Sequence, residues 1–302
     1  MYTNTNTSTN PGLFESAICL SLTLSSFSVQ RKGDKNQMTV DADKSMLTFG
    51  KKILQSKELK EITQLDSEVY DFLHWKEGTH SLPFEFKPGV YLIPLALIDE
   101  VERRLGEFAY QRILLVEEFL AVYQDRVKEA QQKLGVLFNQ KDYPSVARLE
   151  GKFSMKWQIF GFDAPESLKN TNVFLYQKEK EKIRKQCEEA GIEIMGLLRK
   201  EALNYINGLV SKLSPSNNGK QKRLHESYME KMRDFFDTFE ARNIANDEQL
   251  SEAIQIARKA IDGASIEDLR DNEKLRQQVK LEFTAAASVF DAMLGDADEF
   301  AA

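Results

Sequence analysis

The stretch KWQIFGFDAPESL (156–168) decides how the rest of the chain is interpreted, because it has strand character and lies between two long helical patterns. Its first residues alternate between polar and apolar side chains, which is the period of a β-strand. Its second half predicts a helix start, with Asp163 as the capping residue and Glu166 three positions later. Because an isolated strand is marginally stable at best, the stretch predicts pairing with strands from elsewhere in the chain.

Two other segments, 17–30 and 84–93, also have strand character. The first alternates large apolar with small side chains, and the second is an extended piece bounded by prolines. We expect the three segments to form one small antiparallel sheet. Since large apolar residues are usually buried, we expect the aromatic residues of 155–162 to belong to a core rather than to a binding surface. The expected faces are Met155, Trp157 and Ile159 on one side, and Phe160 and Phe162 on the other.

The two long helical patterns cover residues 95–135 and 166–213. In the first, apolar residues recur at alternating spacings of three and four, as in a heptad seam, and Arg112 occupies one seam position. At 1.5 Å per residue, the first pattern corresponds to a rod of roughly 60 Å, which must pack along another element. We therefore predict that the two rods form an antiparallel hairpin. Shorter helices are predicted around residues 46–54 and 59–73.

The predicted fold class is mainly α (α+β): an elongated antiparallel helical hairpin with a small antiparallel β-sheet at its base and a C-terminal helical region. In the C-terminal region, Asn246 with Gln249 and Ser265 with Asp268 predict helix caps. The predicted organisation is a disordered tail at 1–14, the hairpin domain with its sheet at 15–213, a linker at 214–221, the helical region at 222–294, and an acidic tail at 295–302.

Composition excludes several classes of protein. The net charge of −6 over 302 residues does not favour overall electrostatic binding to nucleic acid or to an anionic membrane. No apolar run reaches the roughly 18–20 residues that a membrane span needs. The N-terminus lacks the basic and apolar regions of a signal peptide, and the two cysteines form no disulfide framework. We therefore expect a cytoplasmic protein, in the host cell if it is phage-encoded.

No catalytic constellation is recognisable. Only three histidines are present, and none adjoins a nucleophile motif. The GKK sequence at 50–52 lacks the upstream glycine of a phosphate-binding loop. His74 and His80 match no standard zinc spacing. We expect a protein that is not an enzyme and has no cofactor or metal; an enzymatic interpretation would require a deep polar pocket formed by His74, His80 and acidic residues.

Three basic stretches are candidates for nucleic-acid contact. Those at 51–60 and 178–185 are interleaved with glutamates, which is typical of a solvated helix face. The stretch GKQKR (219–223) is the least neutralised. It gives Lys220, Lys222 and Arg223 as candidate contacts to a phosphate backbone.

Two more residues admit two interpretations each. Arg112 either extends its charged group to solvent or pairs with a carboxylate on the facing helix, or else it acts as a registry device or partner contact. Phe300 lies in the acidic C-terminus, which is either a frayed tail or a short docking peptide. The heptad-like seam is also compatible with a homo-oligomer.

Four phrases resemble, in this order, a family of uncharacterised bacterial and phage proteins. They are SLTLSSFSVQRK (21–32), LTFGKKILQSKELKEI (47–62), PGVYLIPLALIDEVERRLGEF (88–108) and KWQIFGFDAP (156–165). Members of that family are often encoded beside a MoxR-type AAA+ ATPase and a von Willebrand factor A-type protein. The resemblance covers roughly residues 17–168 and carries no catalytic signature.

What the resemblance implies is a context rather than a reaction. Together with the long amphipathic seams, it predicts a non-enzymatic adaptor of a phage or mobile element that acts with the ATPase and the von Willebrand-type partner. The alternative is a DNA-associated protein of phage replication or recombination, which rests on the basic segment at 219–223.

Overall fold

The computed structural model of the chain describes residues 16–33, 41–76, 80–84, 87–161, 164–215 and 222–299. The protein is 68% helical with a small antiparallel sheet, which confirms the predicted mainly-α class. Its helices are α1 (Lys57–Leu73), α2 (Ile98–Leu134), α3 (Val146–Glu150), α4 (Glu166–Thr171), α5 (Val173–Leu213), α6 (Glu226–Arg242), α7 (Glu248–Ile261), α8 (Ile266–Asp271) and α9 (Glu273–Glu299). Its strands are β1 (Ala17–Ser25), β2 (Gln30–Lys32), β3 (Gly50–Lys52), β4 (Val90–Pro94) and β5 (Ser154–Phe160).

The three predicted strand segments do form one sheet, in the order β4-β1-β5. At the end of β1, the Ser25 hydroxyl donates to the carbonyl of Lys152 at 3.0 Å. Along β5, Met155 and Trp157 are half-buried, and Lys156 between them is exposed. Ile159, predicted on the same face, is instead 39% exposed. The prediction that the aromatics are core is wrong for Phe160, which is 37% exposed and lies in the exposed last part of the strand. Phe162 lies outside the described residues.

The short helix predicted around 46–54 is also wrong. Gly50–Lys52 is a strand that pairs antiparallel with β2, with Arg31 opposite Lys51. The following residue, Ile53, is fixed on both sides, since its N–H donates to the carbonyl of Val29 and its carbonyl accepts from the Tyr143 hydroxyl at 2.6 Å. Four apolar residues were too few to distinguish a helix from a turn followed by a strand.

The chain divides into two compact units. The second unit consists of residues 21–71 and 100–158, and its core is formed by α2 with α1 and the loops around them. The seam of α2 is buried as predicted. The buried cluster consists of Phe27, Ile53, Leu54, Ile62, Val116, Phe119, Tyr123, Val127, Ala130, Tyr143 and Leu149.

The first unit contains residues 72–99 and the chain from 159 onward, together with the start of β1. The apolar seam of α5 is buried as predicted, but its most extensive contacts are with α9. The predicted hairpin of α2 and α5 stays a prediction, because α2 from Glu100 onward belongs to the other unit. Helices on both sides of the predicted linker at 214–221 share one core in the first unit.

Helix starts show how local chemistry sets the boundaries. The helix predicted over 166–213 is interrupted at Asn172, whose side chain accepts the N–H of Leu175 at 3.0 Å and begins α5. Asp247, rather than Asn246, caps α7 by accepting the N–H of Leu250. The capping box of Ser265 and Asp268 is present as predicted. The acidic segment predicted as a tail from 295 is helical as far as Glu299.

Both cysteines are free thiols in the core of the first unit, as the composition predicted. Cys19 is 1% exposed and Cys187 is 8% exposed. Burial raises the pKa of the Cys19 thiol to about 11, with a further contribution from Cys187. Burial also raises the pKa of Cys187. Both groups are therefore protonated at neutral pH.

Candidate interaction surfaces

Arg112 is buried in the second unit and paired with Asp66. It is 3% exposed, and its Nε donates to Asp66 Oδ1 at 2.7 Å while Nη2 donates to Asp66 Oδ2 at 3.2 Å. Nη2 also donates to the carbonyl of Ser25 at 2.8 Å. Of the two interpretations of Arg112, the structure shows the carboxylate pair, on α1, and the guanidinium is not presented at the surface.

A groove of about 340 Å³ lies over this pair, between α2 and the segment that follows α3. Its polar lining includes Glu117 and Glu150, both exposed. Within the part of the chain that the structure describes, neither carboxylate has a hydrogen bond or an ion pair. The apolar walls are Ala109, Ile113, Val116, Leu120, Phe153 and Met155.

The rim of the groove on α2 carries an exposed apolar triad. Tyr110 is 64% exposed, Ile113 56% and Leu114 42%. These positions are three and four residues apart, so they share one face of the helix. Contiguous exposed apolar side chains of this size are typical of interaction surfaces.

A second exposed apolar cluster lies in the first unit, at the first turn of α5. Val173 is 61% exposed, Phe174 79% and Leu175 38%. Tyr176 is buried, and its hydroxyl is 3.3 Å from Glu166 Oε1 of α4. The next fully buried residue of α5 is Cys187, more than two turns later, so this part of the helix is largely exposed.

The basic stretch 178–185 on α5 is largely neutralised, as its glutamates predicted. Lys182 lies 3.7 Å from Glu179, and Arg184 lies 2.7 Å from Glu181 and also pairs with Glu188. The hydrogen bond from Arg184 lowers the pKa of Glu181. Lys178 is exposed and has no ion pair with any residue that the structure describes.

The basic segment 219–223, predicted to be the least neutralised, is described only at Lys222 and Arg223. Lys222 and Arg223 are exposed, and Lys222 Nζ donates to Ser211 Oγ at 3.0 Å. Lys220 and Phe300 lie outside the described residues. Two exposed cations therefore remain as the described part of the candidate nucleic-acid contact.

A cavity of about 440 Å³ lies beside His74 and is lined by Trp75, Ser81, Phe84 and Lys87, among others. No carboxylate is among its described lining residues. His80 does not line it, and its ring lies against the Phe72 ring, with centroids 4.3 Å apart and planes tilted by 36°. The cavity therefore differs from the acidic histidine pocket that an enzymatic interpretation required.

One buried residue was missed by the sequence analysis. Arg242 at the end of α6 is 0% exposed, and none of its three guanidinium nitrogens has a hydrogen-bond partner among the described residues. The guanidinium lies 5.2 Å from the centroid of the Phe235 ring. Burial lowers its pKa to about 10, an effect partly offset by the carboxylate of Glu201. The spacing Met229, Met232, Phe235/Phe236, Phe239 would have placed Arg242 on the buried face.

No family model, curated protein or solved structure matches this chain. Within the described ranges, no group of three or more histidine, cysteine, aspartate or glutamate residues is placed to hold a metal ion. Likewise, no helix in the part that the structure describes has the length and apolarity to cross a membrane.

Proposed function

We propose that the protein is a non-enzymatic adaptor of a phage or mobile element, acting in the cytoplasm with a MoxR-type AAA+ ATPase and a von Willebrand factor A-type partner. The observation that carries the proposal is the exposed apolar triad Tyr110, Ile113 and Leu114 beside a groove with apolar walls. The identity of the partners rests on the resemblance of residues 17–168 to the family described above.

The triad favours a protein partner on energetic grounds. Complete burial of one large apolar side chain contributes about 1.5–3 kcal/mol. Three such side chains on one helix face could therefore form the centre of an interface, where a few buried anchors usually dominate affinity. Positions three and four residues apart also match recognition of a helix in a groove.

The DNA-associated alternative has less support. Its basic stretch at 178–185 is paired with neighbouring glutamates. Among described residues it rests on Lys222 and Arg223, and a phosphate-binding surface normally uses more cations than two.

The test is an affinity purification of the tagged full-length chain from its native context, after nuclease treatment and at moderate salt, with mass spectrometry of what remains. We expect an AAA+ ATPase or a von Willebrand-type protein to be recovered. Ile113→Asp should abolish recovery, because it places a charge in the middle of the triad. Ile256→Asp is the matched control, since Ile256 is also exposed, at 43%, and lies on α7.

Two outcomes would contradict the proposal. Recovery of neither protein would contradict the adaptor function. A salt-sensitive gel shift of duplex or single-stranded DNA would then favour the DNA-associated alternative. Equal recovery with Ile113→Asp and with the wild type would show that the triad is not the docking surface.

A further inference from the structure

Two surfaces described above are complementary to each other: the groove beside α2, and the first turn of α5. We propose that the groove binds the first turn of α5 from a second copy of this chain, with Phe174 inserted between the groove walls and Lys178 paired with Glu117. This contact uses the groove and Ile113, which the proposed function also assigns to a partner protein, so the two contacts would compete for one surface.

The apolar parts match in kind. Phe174 is 79% exposed, the highest exposed fraction of any phenylalanine among the large exposed apolar residues. The groove offers about 340 Å³ between Ile113, Val116, Leu120, Phe153 and Met155. That volume is at the low end of the roughly 300–1,000 Å³ range of small-molecule pockets, and it suits one or two large side chains.

The charges match in sign and in spacing. On α2, Glu117 lies four residues after Ile113, so the two share a face one turn apart. On α5, Lys178 lies four residues after Phe174, with the same relation. With the two helices parallel, a Phe174 side chain beside Ile113 therefore brings Lys178 to the level of Glu117, about 6 Å along the helix axis.

All three charged groups are available for such a pairing. Glu117, Glu150 and Lys178 are exposed, and none of them has an ion pair within the described part of the chain. Arg112, the cation that also lines the groove, is already neutralised by Asp66. The groove therefore presents net negative charge to an incoming residue.

The contact joins two different surfaces, so it is heterologous. Such contacts form rings where the rotation closes and open chains where it does not. Two copies could also exchange first turns reciprocally and stop at a dimer. In each case the mass should rise above the 34.6 kDa of one chain as concentration increases.

Sedimentation velocity of the purified full-length chain, from low micromolar concentration to the solubility limit, tests the contact. We expect Phe174→Ser to weaken self-association by about tenfold or more, as expected for a central apolar anchor. Ile192→Ser is the matched control, because Ile192 is 76% exposed on the same helix but lies outside the first turn. The two substitutions remove exposed side chains, so both variants should keep the circular dichroism and melting temperature of the wild type.

A charge exchange tests the pairing itself. Glu117→Lys and Lys178→Glu should each weaken self-association about three- to tenfold, since attraction becomes repulsion. The double variant should return to within about twofold of the wild type, because the pair is restored with reversed signs. Glu118→Lys makes the same charge change outside the groove lining and should have little effect.

Several results would overturn the inference. These are a monomer at every concentration, equal self-association of the Phe174→Ser and wild-type chains, and a double charge variant no better than the single variants. A monomeric chain that still recovers the ATPase or the von Willebrand-type protein would reject the self-contact and leave the proposed function intact.

Discussion

Arg112 and Arg242 are both buried arginines on long amphipathic helices, but their surroundings differ. In the second unit, Arg112 gives a bidentate pair to Asp66 and a third bond to the carbonyl of Ser25. In the first unit, Arg242 makes no hydrogen bond with any described residue and lies near the Phe235 ring. The comparison teaches that burial alone does not say whether a charge stabilises a fold. A buried arginine stabilises or destabilises the fold according to whether its N–H donors are hydrogen-bonded.

The largest effect should come from breaking the satisfied pair. Arg112→Met should lower the free energy of unfolding by about 3–5 kcal/mol, because it leaves the Asp66 carboxylate without its buried partner. Urea denaturation followed by circular dichroism measures the change. The double variant Arg112→Met/Asp66→Leu should recover most of the loss. A single variant as stable as the wild type would mean that the pair does not contribute as described.

The opposite sign is expected at the unsatisfied site. Arg242→Met should raise the free energy of unfolding by about 1–3 kcal/mol, because an uncompensated buried charge is replaced by an apolar side chain. Thermal and urea denaturation measure the gain. Arg199→Met is the control, since Arg199 is paired with Asp247 and its loss should destabilise. A destabilised Arg242→Met protein would show that this guanidinium is paired in solution.

An intermediate case is the partly exposed pair of Glu58 and Arg126. The Arg126 guanidinium donates to Glu58 at 2.9 Å, and this bond, with one from Ser56, lowers the carboxyl pKa from near 4.5 to about 2. Because the folded pKa is lowered, the stabilisation is present above pH 4.5 and is lost as pH falls toward 2. We expect it to be about 1 kcal/mol, discounted for solvent exposure. Glu58→Gln should remove this part of the acid dependence of stability, whereas Glu118→Gln should not.

The smallest expected change in stability tests how far a nearby carboxylate compensates the buried charge of Arg242. Glu201 partly offsets the burial of Arg242 through its charge, without an ion pair. Glu201→Gln should therefore lower the free energy of unfolding by about 0.5 kcal/mol in the wild type. The same substitution should have no effect in the Arg242→Met background, and a double-mutant cycle measures this difference. Equal effects in both backgrounds would mean that the two groups do not interact.

Sequence patterns predicted the elements better than their partners. The seams of α2 and α5 were found, because an apolar spacing of three and four identifies the buried face of a helix. The same spacing does not identify the element that covers that face. Helix α5 packs on α9, and the predicted hairpin partner α2 belongs, from Glu100 onward, to the other unit.

Short elements and the candidate surfaces were harder to predict. The strand at Gly50–Lys52 depends on pairing with residues 30–32, a tertiary contact that a local pattern does not contain. Arg112 is recognisable in the sequence because it interrupts an apolar seam. The sequence predicts a carboxylate partner on a facing helix but does not identify that partner as Asp66. The groove beside it was not predicted, because its walls come from positions about 40 residues apart.

The two cysteines give the first unit a property that the second lacks. Thiol reagents attack the thiolate, and both thiols are buried with raised pKa values. Alkylation of the native protein should therefore proceed only through molecules in which the first unit has opened. Since residues 21–71 and 100–158 contain no cysteine, the labelling rate is an intrinsic reporter for one half of the molecule. It should slow with Arg242→Met and, where the two units open independently, be unchanged by Arg112→Met.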